Sequence, residues 1–448
     1  MRILSITAGA AGMYCGSCFR DNAMAAELVA RGEDVTLLPI YTPTRTDEPN
    51  VSGPRVLFGG ISVYLQQRSS FFRHTPRLLD RLWDAPWVIG AFANRGVSTD
   101  ARLLGDLTVS MLRGEQGVLR KEFEKLVAWV REEPLPDVIN LPNSLLIGLA
   151  QPLKAALGRP VCCTLQGEEI FIDGLEPRFR AEALRLIREQ VPSVDRFIAV
   201  SEAGAAHMAP LLEIPAGRLS VVPLGIGVTG YGRHEPRAGT FRVGYFARVA
   251  PEKGLHVLAE AYVRFRRRVS EARGAGAGAG PAGSTVATLA LDVAGYMARE
   301  HEPYLVGAQA VLVRAGLGDE FSYRGEVDRA GKVAFLQSVD VLSVPATYDE
   351  PKGLFLIEAM ASGVPVVQPR RGAFVEVVEK TGGGILVDPD DPEALANGLF
   401  DLWTDVERRR ALGQRAYDGV RTHYGIEQSA TRLLDVYRDV LAHAAPAA

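Results

Sequence analysis

Arg2-Ile3-Leu4-Ser5-Ile6-Thr7-Ala8 is an apolar run, and Gly9, Gly12 and Gly16 follow it in a glycine-rich turn. A helical pattern then extends from about Ser17 to Arg31, with Met24, Ala25, Leu28 and Val29 on one face. Gly32 closes it, and Val35-Thr36-Leu37-Leu38 starts a second apolar run. The change of period from strand to helix and back predicts a βαβ unit whose loop covers a helix N-terminus. The pattern recurs at Phe241-Arg242-Val243-Gly244-Tyr245-Phe246, where the turn is Ala247 to Gly254 and the helix spans Leu255 to about Arg267.

Further strand candidates alternate with helices in both halves. Val138–Leu141, Val161–Leu165 and Phe197–Val200 belong to the first half; Leu289–Ala294, Val341–Val344 and Val364–Val367 belong to the second. Continuous apolar strands between amphipathic helices predict parallel sheets covered on both faces. The expected fold class is therefore α/β, with two doubly wound Rossmann-like domains joined near the Gly/Pro-rich stretch from Pro223 to Gly239. Ligands of such sheets bind beyond the carboxyl ends of the strands. If the two domains face one another, the cleft between them is the expected site.

A chain of 448 residues has room for two or three domains. Apolar residues at 47% and charged residues at 23% suit a large core, and a net charge of −3 gives no electrostatic reason to expect nucleic acid. The first apolar run is too short for a signal peptide, and no run approaches the ~18 residues of a membrane span. A cytoplasmic protein is the expectation. Four cysteines, Cys15, Cys18, Cys162 and Cys163, do not make a disulfide framework. Cys15-Gly16-Ser17-Cys18 is formally a C-x-x-C at a helix start, which suits a reactive thiolate or zinc. It equally suits small residues where backbone approaches a ligand. The seven histidines show no ligand spacing, so no metal site is expected.

Three other segments carry composition signals. Arg273 to Ser284 alternates Gly and Ala and reads as a flexible insertion. Arg264, Arg266, Arg267 and Arg268 before it read as a solvated helix end. Asp388-Pro389-Asp390-Asp391-Pro392 reads as a helix-starting loop rather than an acidic metal site. Residues 60–95 interleave Phe71, Phe72, Trp83, Trp87 and Phe92 with Arg68, Arg73, Arg77, Arg81 and Arg95. That texture suits peripheral contact with a membrane surface, at its inner face, and it suits ordinary core helices with solvated arginines.

The stretch with most chemistry is Glu350-Pro351-Lys352-Gly353-Leu354-Phe355-Leu356-Ile357-Glu358-Ala359-Met360. Glu350 falls in a turn after an apolar strand, and Glu358 falls about five residues into a helix opened by Gly353-Leu354. At ~1.5 Å rise per residue the second carboxylate lies ~7 Å along the helix from its N-terminal amides. Those amides and the helix dipole suit a phosphate. A carboxylate further along suits ribose hydroxyls, and one just outside suits sugar hydroxyls. Two solvated glutamates at this spacing are also an ordinary accident, so context decides.

With both halves laid out, the chain resembles a family-four, retaining, nucleotide-sugar glycosyltransferase of the GT-B fold (glycosyl transferases group 1). The resemblance rests on Arg248 and Lys253, Tyr323-Arg324-Gly325-Glu326-Val327, the Glu350…Glu358 block, Ala361-Ser362-Gly363-Val364-Pro365-Val366 and Thr381-Gly382-Gly383-Gly384. In the first half it rests on the glycine loop, Val200-Ser201-Glu202 and Val222-Pro223. It implies an acceptor-binding domain over residues 1–228 and a donor-binding domain over residues 240–425, with a helix at about 426–443 packing back on the first. It implies that Arg248, Lys253, the amide at Gly12 and the helix start at Gly353-Leu354 handle a donor diphosphate without a metal or other cofactor. Glu350 would meet sugar hydroxyls, Glu358 the ribose, and Gly325, Glu326 and Val327 the base. The implied partners are a nucleotide-sugar donor and an acceptor glycan, lipid carrier or small molecule.

Several positions depart from the family pattern. Gln166 stands where a histidine commonly touches the donor sugar, and an amide cannot titrate. Lys352 replaces an apolar residue before Gly353, Leu224 replaces an asparagine, and Arg370-Arg371-Gly372 replaces a diglycine. Two other readings stay open: a non-catalytic nucleotide-sugar sensor, and a thiol or zinc protein built on the four cysteines.

Overall fold

The computed structural model describes residues 1–9, 16–44, 46–53, 56, 58, 104–233, 239–274 and 288–444. Gly12, Cys15 and residues 60–95 lie outside the described residues, as does the insertion from 275 onward. The described residues fall into two compact units, one drawn from Met1–Gly225 and Ile426–Ala448, the other from Ile226–Gly425.

The first unit is built on a six-stranded parallel sheet. Its strands are β1 (Arg2–Thr7), β2 (Asp34–Pro39), β3 (Val138–Leu141), β4 (Val161–Leu165), β5 (Arg196–Ala199) and β6 (Leu219–Val221), in the order β2-β1-β3-β4-β5-β6. Ile3 pairs with Val35 on one side and Val138 on the other. Successive strand residues point to opposite faces, and the two faces bury different partners. Leu4, Ile139, Cys163 and Phe197 join a core with Phe123, Leu126, Leu153 and Ile187. Ile3, Val138, Cys162 and Ile198 join the opposite core with Met24, Leu28, Leu433, Leu434 and Tyr437. Because both faces are covered, β3 and β4 have no exposed position and read as continuous apolar runs.

The C-terminal helix Ile426–His443 belongs to this first unit. Its apolar stripe of Ile426, Ala430, Leu433, Tyr437 and Val440 packs against the helix Gly16–Ala30 and the sheet. Arg31 donates to Thr431 Oγ1 at 2.8 Å and to the Glu427 carbonyl at 2.6 Å, and Ser429 donates to the Pro223 carbonyl at 2.7 Å.

The second unit has another six-stranded parallel sheet. Its strands are β7 (Thr240–Phe246), β8 (Thr288–Ala294), β9 (Phe321–Tyr323), β10 (Val341–Leu342), β11 (Val366–Pro369) and β12 (Gly384–Val387), in the order β12-β11-β10-β7-β8-β9. The chain winds outward from β7 through β8 to β9, then returns to β10 and winds the other way. The switch point of this doubly wound sheet therefore lies between β7 and β10, the place where open α/β sheets bind their ligands. β10 is shorter than the Val341–Val344 run suggests, although Val344 remains fully buried.

The helix after β7 spans Leu255–Gly274 and outruns its sequence estimate, because Leu258, Tyr262, Phe265 and Val269 keep the buried spacing past Arg267. Its arginines are partnered. Arg266 pairs with Glu320 at 2.8 Å, Arg264 pairs with Glu393 at 3.3 Å, and Arg268 also pairs with Glu393. Asp391 caps the helix Pro392–Thr404 by accepting from the Glu393 and Ala394 amides, so the Asp388–Pro392 loop starts a helix.

Candidate functional site

The turn after β7 is forced against the turn after β10. Gly254 has φ +74°, and a Cβ there would lie 1.8 Å from the Pro345 carbonyl oxygen. Only glycine tolerates both the left-handed backbone and the contact. The Thr347 amide donates to the Glu252 carbonyl at 2.9 Å and ties the turns together. Lys253 consequently reaches the Glu350 carboxylate and the Tyr348 hydroxyl, and Tyr348 in turn donates to Glu350 Oε2. The Lys253 ammonium also stands 5.0 Å from the Tyr348 ring centroid and 5.5 Å from that of Phe355, within cation–π range.

Glu350 is almost fully buried, 3% exposed. Burial works to raise its carboxyl, but the charge and hydrogen bond of Lys253, the Tyr348 hydroxyl and the Lys352 charge outweigh burial and hold it down to about 2. Glu350 is thus a carboxylate at neutral pH. Burial, then the Glu350 charge, pushes the Tyr348 phenol well above its ordinary range, so it stays protonated and remains a donor. Glu350 Oε1 takes longer contacts from the backbone amides of Lys352 at 3.3 Å and Gly353 at 3.5 Å.

Gly353 adopts φ +65° and starts the helix Leu354–Ala361. The Leu356 and Ile357 amides turn back to the Gly353 carbonyl, leaving those of Leu354 and Phe355 to head the helix. Gly372, with φ +50°, lets the next loop close over Glu350: a Cβ would stand 2.6 Å from the Glu350 backbone, and the Ala373 amide donates to the Glu350 carbonyl at 2.8 Å. Arg371 of that loop is held by Asp390 at 2.5 Å, and Arg370 by Glu379 at 2.9 Å.

Glu358 is the fifth residue of its helix and is buried. Its Oε1 accepts from Lys332 Nζ at 2.6 Å and from the Tyr231 hydroxyl at 3.3 Å. Lys332 comes from the helix Arg329–Leu336, whose N-cap Asp328 accepts from the Gly331 amide. Gly325, Glu326 and Val327 form the segment between β9 and that helix. The Gly325 carbonyl accepts from Gly295 at the end of β8, at 2.9 Å. Arg248, half-exposed on the β7 turn, pairs with Glu252.

Gln166 follows β4 in the first unit and is buried. Its Nε2 donates to Asp21 Oδ1 at 3.0 Å and to the Pro142 carbonyl at 2.9 Å, while Oε1 has no partner among the described residues. Its backbone amide is held by Glu168, which also accepts from the Ser144 amide and hydroxyl at 2.8 Å each. Arg20 pairs with Asp21 at 3.3 Å, and burial pushes the Asp21 carboxyl up against the opposing Arg20 charge.

The second unit therefore gathers Lys253, Glu350, Lys352, Gly353, Leu354 and Glu358 at or beside one strand switch point, with Arg248 paired locally and Gly325–Val327 at the neighbouring strand ends. Sequence reasoning missed Tyr348, Tyr231 and Lys332. Lys332 carried a signal, since its spacing to Phe335 and Leu336 put a lysine on the buried face of a short helix. Cys162 and Cys163 sit inside β4, where burial pushes both thiols up, opposite to a reactive thiolate. Among the described residues no group of three or more His, Cys, Asp or Glu is placed to hold a metal, and no helix is long and apolar enough to cross a membrane.

Comparison with known proteins agrees with this architecture. The model for glycosyl transferases group 1 matches residues 233–419, and the model for glycosyltransferase family 4 matches residues 107–229. A 2-deoxystreptamine N-acetyl-D-glucosaminyltransferase from Streptomyces fradiae is 29% identical over 74% of this chain and 81% of its own. A D-inositol 3-phosphate glycosyltransferase from Corynebacterium kroppenstedtii is 37% identical, over 23% of each chain. A protein of that same name from Paenarthrobacter aurescens is 26% identical over 59% of this chain, which spans 62% of the relative. Among solved structures, sucrose-phosphate synthase from Thermosynechococcus elongatus superposes with a TM-score of 0.68 at 18% identity, covering 99% of both chains. HepE from Anabaena, in complex with UDP and glucose, gives 0.66 at 18% identity, covering 98% of this chain and 99% of its own. With two doubly wound parallel sheets and family matches in both halves, the chain belongs to the family-four, group 1 glycosyltransferases of the GT-B fold.

Proposed function

We propose that the chain transfers a hexose-type sugar from a nucleoside-diphosphate donor to an acceptor hydroxyl, with retention of anomeric configuration and without a metal ion. The observation that carries this reading is the Lys253–Tyr348–Glu350 cluster beside the head of the helix Leu354–Ala361. An ammonium has three donors. Glu350 and Tyr348 take two of them, and among the described residues no acceptor takes the third, which would reach a phosphate oxygen.

The helix-head amides of Leu354 and Phe355 add fixed dipoles of the sign a diphosphate needs, and Arg248 adds a second cation. These groups stabilise charge as it grows on the departing diphosphate. Glu350 holds Lys253 in place. Its Oε1, which among the described residues takes just the two longer amide contacts, is the oxygen offered to a sugar hydroxyl. Glu358 meets the ribose, and the backbone of Gly325–Val327 meets the base. In a front-face transfer the leaving diphosphate accepts the acceptor's proton as the new glycosidic bond forms, so no separate protein base is needed. The HepE structure of the same fold holds a ligand of the class proposed, UDP with glucose.

The test is release of nucleoside diphosphate from UDP-, GDP- and ADP-hexoses in chelator, across a panel of glycan, lipid-carrier and small-molecule acceptors. Proton NMR of the product reports the anomer. Acceptor-dependent release from one donor, with the donor's anomeric configuration kept, is the expected result. Inversion would overturn the mechanism, and donor binding without release across the whole panel would favour a sensor.

A further inference from the structure

Arg371 lies in the loop between β11 and the helix Ala373–Thr381, and its guanidinium straps that loop to the segments after β10 and β12. Its Nη2 and Nη1 meet Asp390 Oδ2 and Oδ1 at 2.5 and 3.2 Å. Nη1 also donates to the Ala346 carbonyl at 3.3 Å, and Nε stands 3.9 Å from Asp349 Oδ1. Isolated surface ion pairs contribute little, but a two-pronged arginine–carboxylate fork is the stronger and geometrically specific kind. A diglycine, the family pattern at this place, has no side chain to make such a strap.

Asp390 has an unusual backbone for the residue it is. Its φ is +57°, and among the described residues it shares a positive φ with one other non-glycine, Glu213. Glycine adopts that conformation without strain, whereas aspartate adopts it at a cost. The helix Pro392–Thr404 does not need this carboxylate, because Asp391 caps it. What the Asp390 carboxylate holds is Arg371.

The strapped loop rests on Glu350. The Ala373 amide donates to the Glu350 carbonyl at 2.8 Å, and a Cβ on Gly372 would stand 2.6 Å from the Glu350 backbone nitrogen and oxygen. Phe374, fully buried, packs edge-on against Phe355 with ring centroids 5.8 Å apart. Lys253 and Tyr348 hold the Glu350 carboxylate, and this loop holds its backbone.

We propose that Arg371, clamped by Asp390, is a positioning residue that holds the Arg370–Ala373 loop on Glu350 and so fixes the carboxylate for the donor sugar. The inference rests on the proposed donor reading, in which Glu350 meets sugar hydroxyls. Loosening the clamp lets the Glu350 backbone shift, which weakens the grip on the sugar. The nucleotide end of the donor, assigned to Glu358 and Gly325–Val327, does not depend on this loop. The clamp therefore acts on what the hexose adds to binding and spares the nucleotide.

The experiment is calorimetric binding to the full chain, without acceptor, of whichever of UDP, GDP or ADP it binds and of the hexose donors of that nucleotide. The readout is the ratio of the nucleotide Kd to the Kd of the tightest hexose donor. Arg371→Ala and Asp390→Gly are each expected to lower that ratio at least about threefold, as residues of one network do. The nucleotide Kd itself is expected to stay within about twofold of wild type. Asp390→Gly also relieves the backbone at φ +57°, so it is expected to keep a near wild-type Tm while the ratio falls. Glu350→Ala is expected to lower the ratio at least as far, and Arg371→Ala added to it is expected to lower it no further. An unchanged ratio in Arg371→Ala and Asp390→Gly, whatever their Tm, would mark the clamp as structural and overturn the proposal. An Arg371→Ala effect of equal size with and without Glu350 overturns it too. If Glu350→Ala does not fold, Asp390→Gly decides. A ratio untouched by Glu350→Ala removes the sugar contact and this inference, while nucleotide binding stands. If the wild type binds none of the three nucleotides, the donor reading itself falls.

Discussion

Replacing Lys253 by methionine keeps much of the side chain's bulk and removes the charge that sits on Glu350. The wild-type carboxyl is held from its ordinary 4.5 down to about 2, which at ~1.36 kcal/mol per pH unit corresponds to about 3 kcal/mol. Breaking a buried ion pair by removing one partner typically costs ~3–5 kcal/mol, because the other charge stays buried. We expect a loss of about 3 kcal/mol at pH 7. For a unit of about 200 residues, that lowers the Tm of its transition by roughly 6–12 °C.

The pH dependence is the sharper part of this prediction. In the wild type the Glu350 contribution is fully present above the ordinary 4.5 and is lost as pH falls toward about 2. In the variant, burial without the ammonium raises the carboxyl, so acid neutralises it early and relieves the penalty. The gap between wild type and Lys253→Met should therefore shrink from pH 7 to pH 3. Differential scanning calorimetry at both pH values reads it. A Tm change below about 2 °C at pH 7, or a gap equal at the two pH values, would refute the ion-pair reasoning.

Two further outcomes follow from the packing. Gly254→Ala puts a Cβ 1.8 Å from the Pro345 carbonyl at φ +74° and should cost about 2 kcal/mol or more in urea unfolding. Gly316→Ala, at φ +72° with nothing within 4 Å, should cost only the roughly 1–2 kcal/mol of the backbone conformation; equal losses at the two glycines would refute the clash. Cys162 and Cys163, whose thiols burial pushes up, should stay unreactive to a disulfide reagent in the native protein and react on denaturation, and mass mapping of native-state modification at either would contradict their burial.

Much of the fold was legible because strands buried on both faces leave an unmistakable trace. Val138–Leu141 and Val161–Leu165 are apolar at nearly every position for the simple reason that neither face meets water. The local frame of the Glu350…Glu358 block was legible because Gly353 starts a helix that carries Glu358 as its fifth residue. What the sequence hid was pairing across elements. Nothing local says that Lys253 reaches Glu350, because the contact depends on Gly254 letting two turns approach from strands nearly a hundred residues apart in sequence. Lys332 and Tyr231 were hidden for the same reason, each meeting Glu358 only after the sheet is wound. Gln166 was legible as a departure, but its fixed orientation comes from Asp21 on the first helix and Pro142 after β3.

The central claim is that the second unit binds a nucleoside diphosphate through Lys253 and Glu358. Calorimetry with UDP, GDP and ADP in chelator, on the wild type, Lys253→Ala and Glu358→Ala, tests it most directly, with melting curves run alongside to confirm that each variant is folded. The account predicts that one nucleotide binds the wild type and that each folded variant binds it at least about tenfold more weakly. Absence of binding by all three nucleotides, or binding untouched by both substitutions, would contradict it.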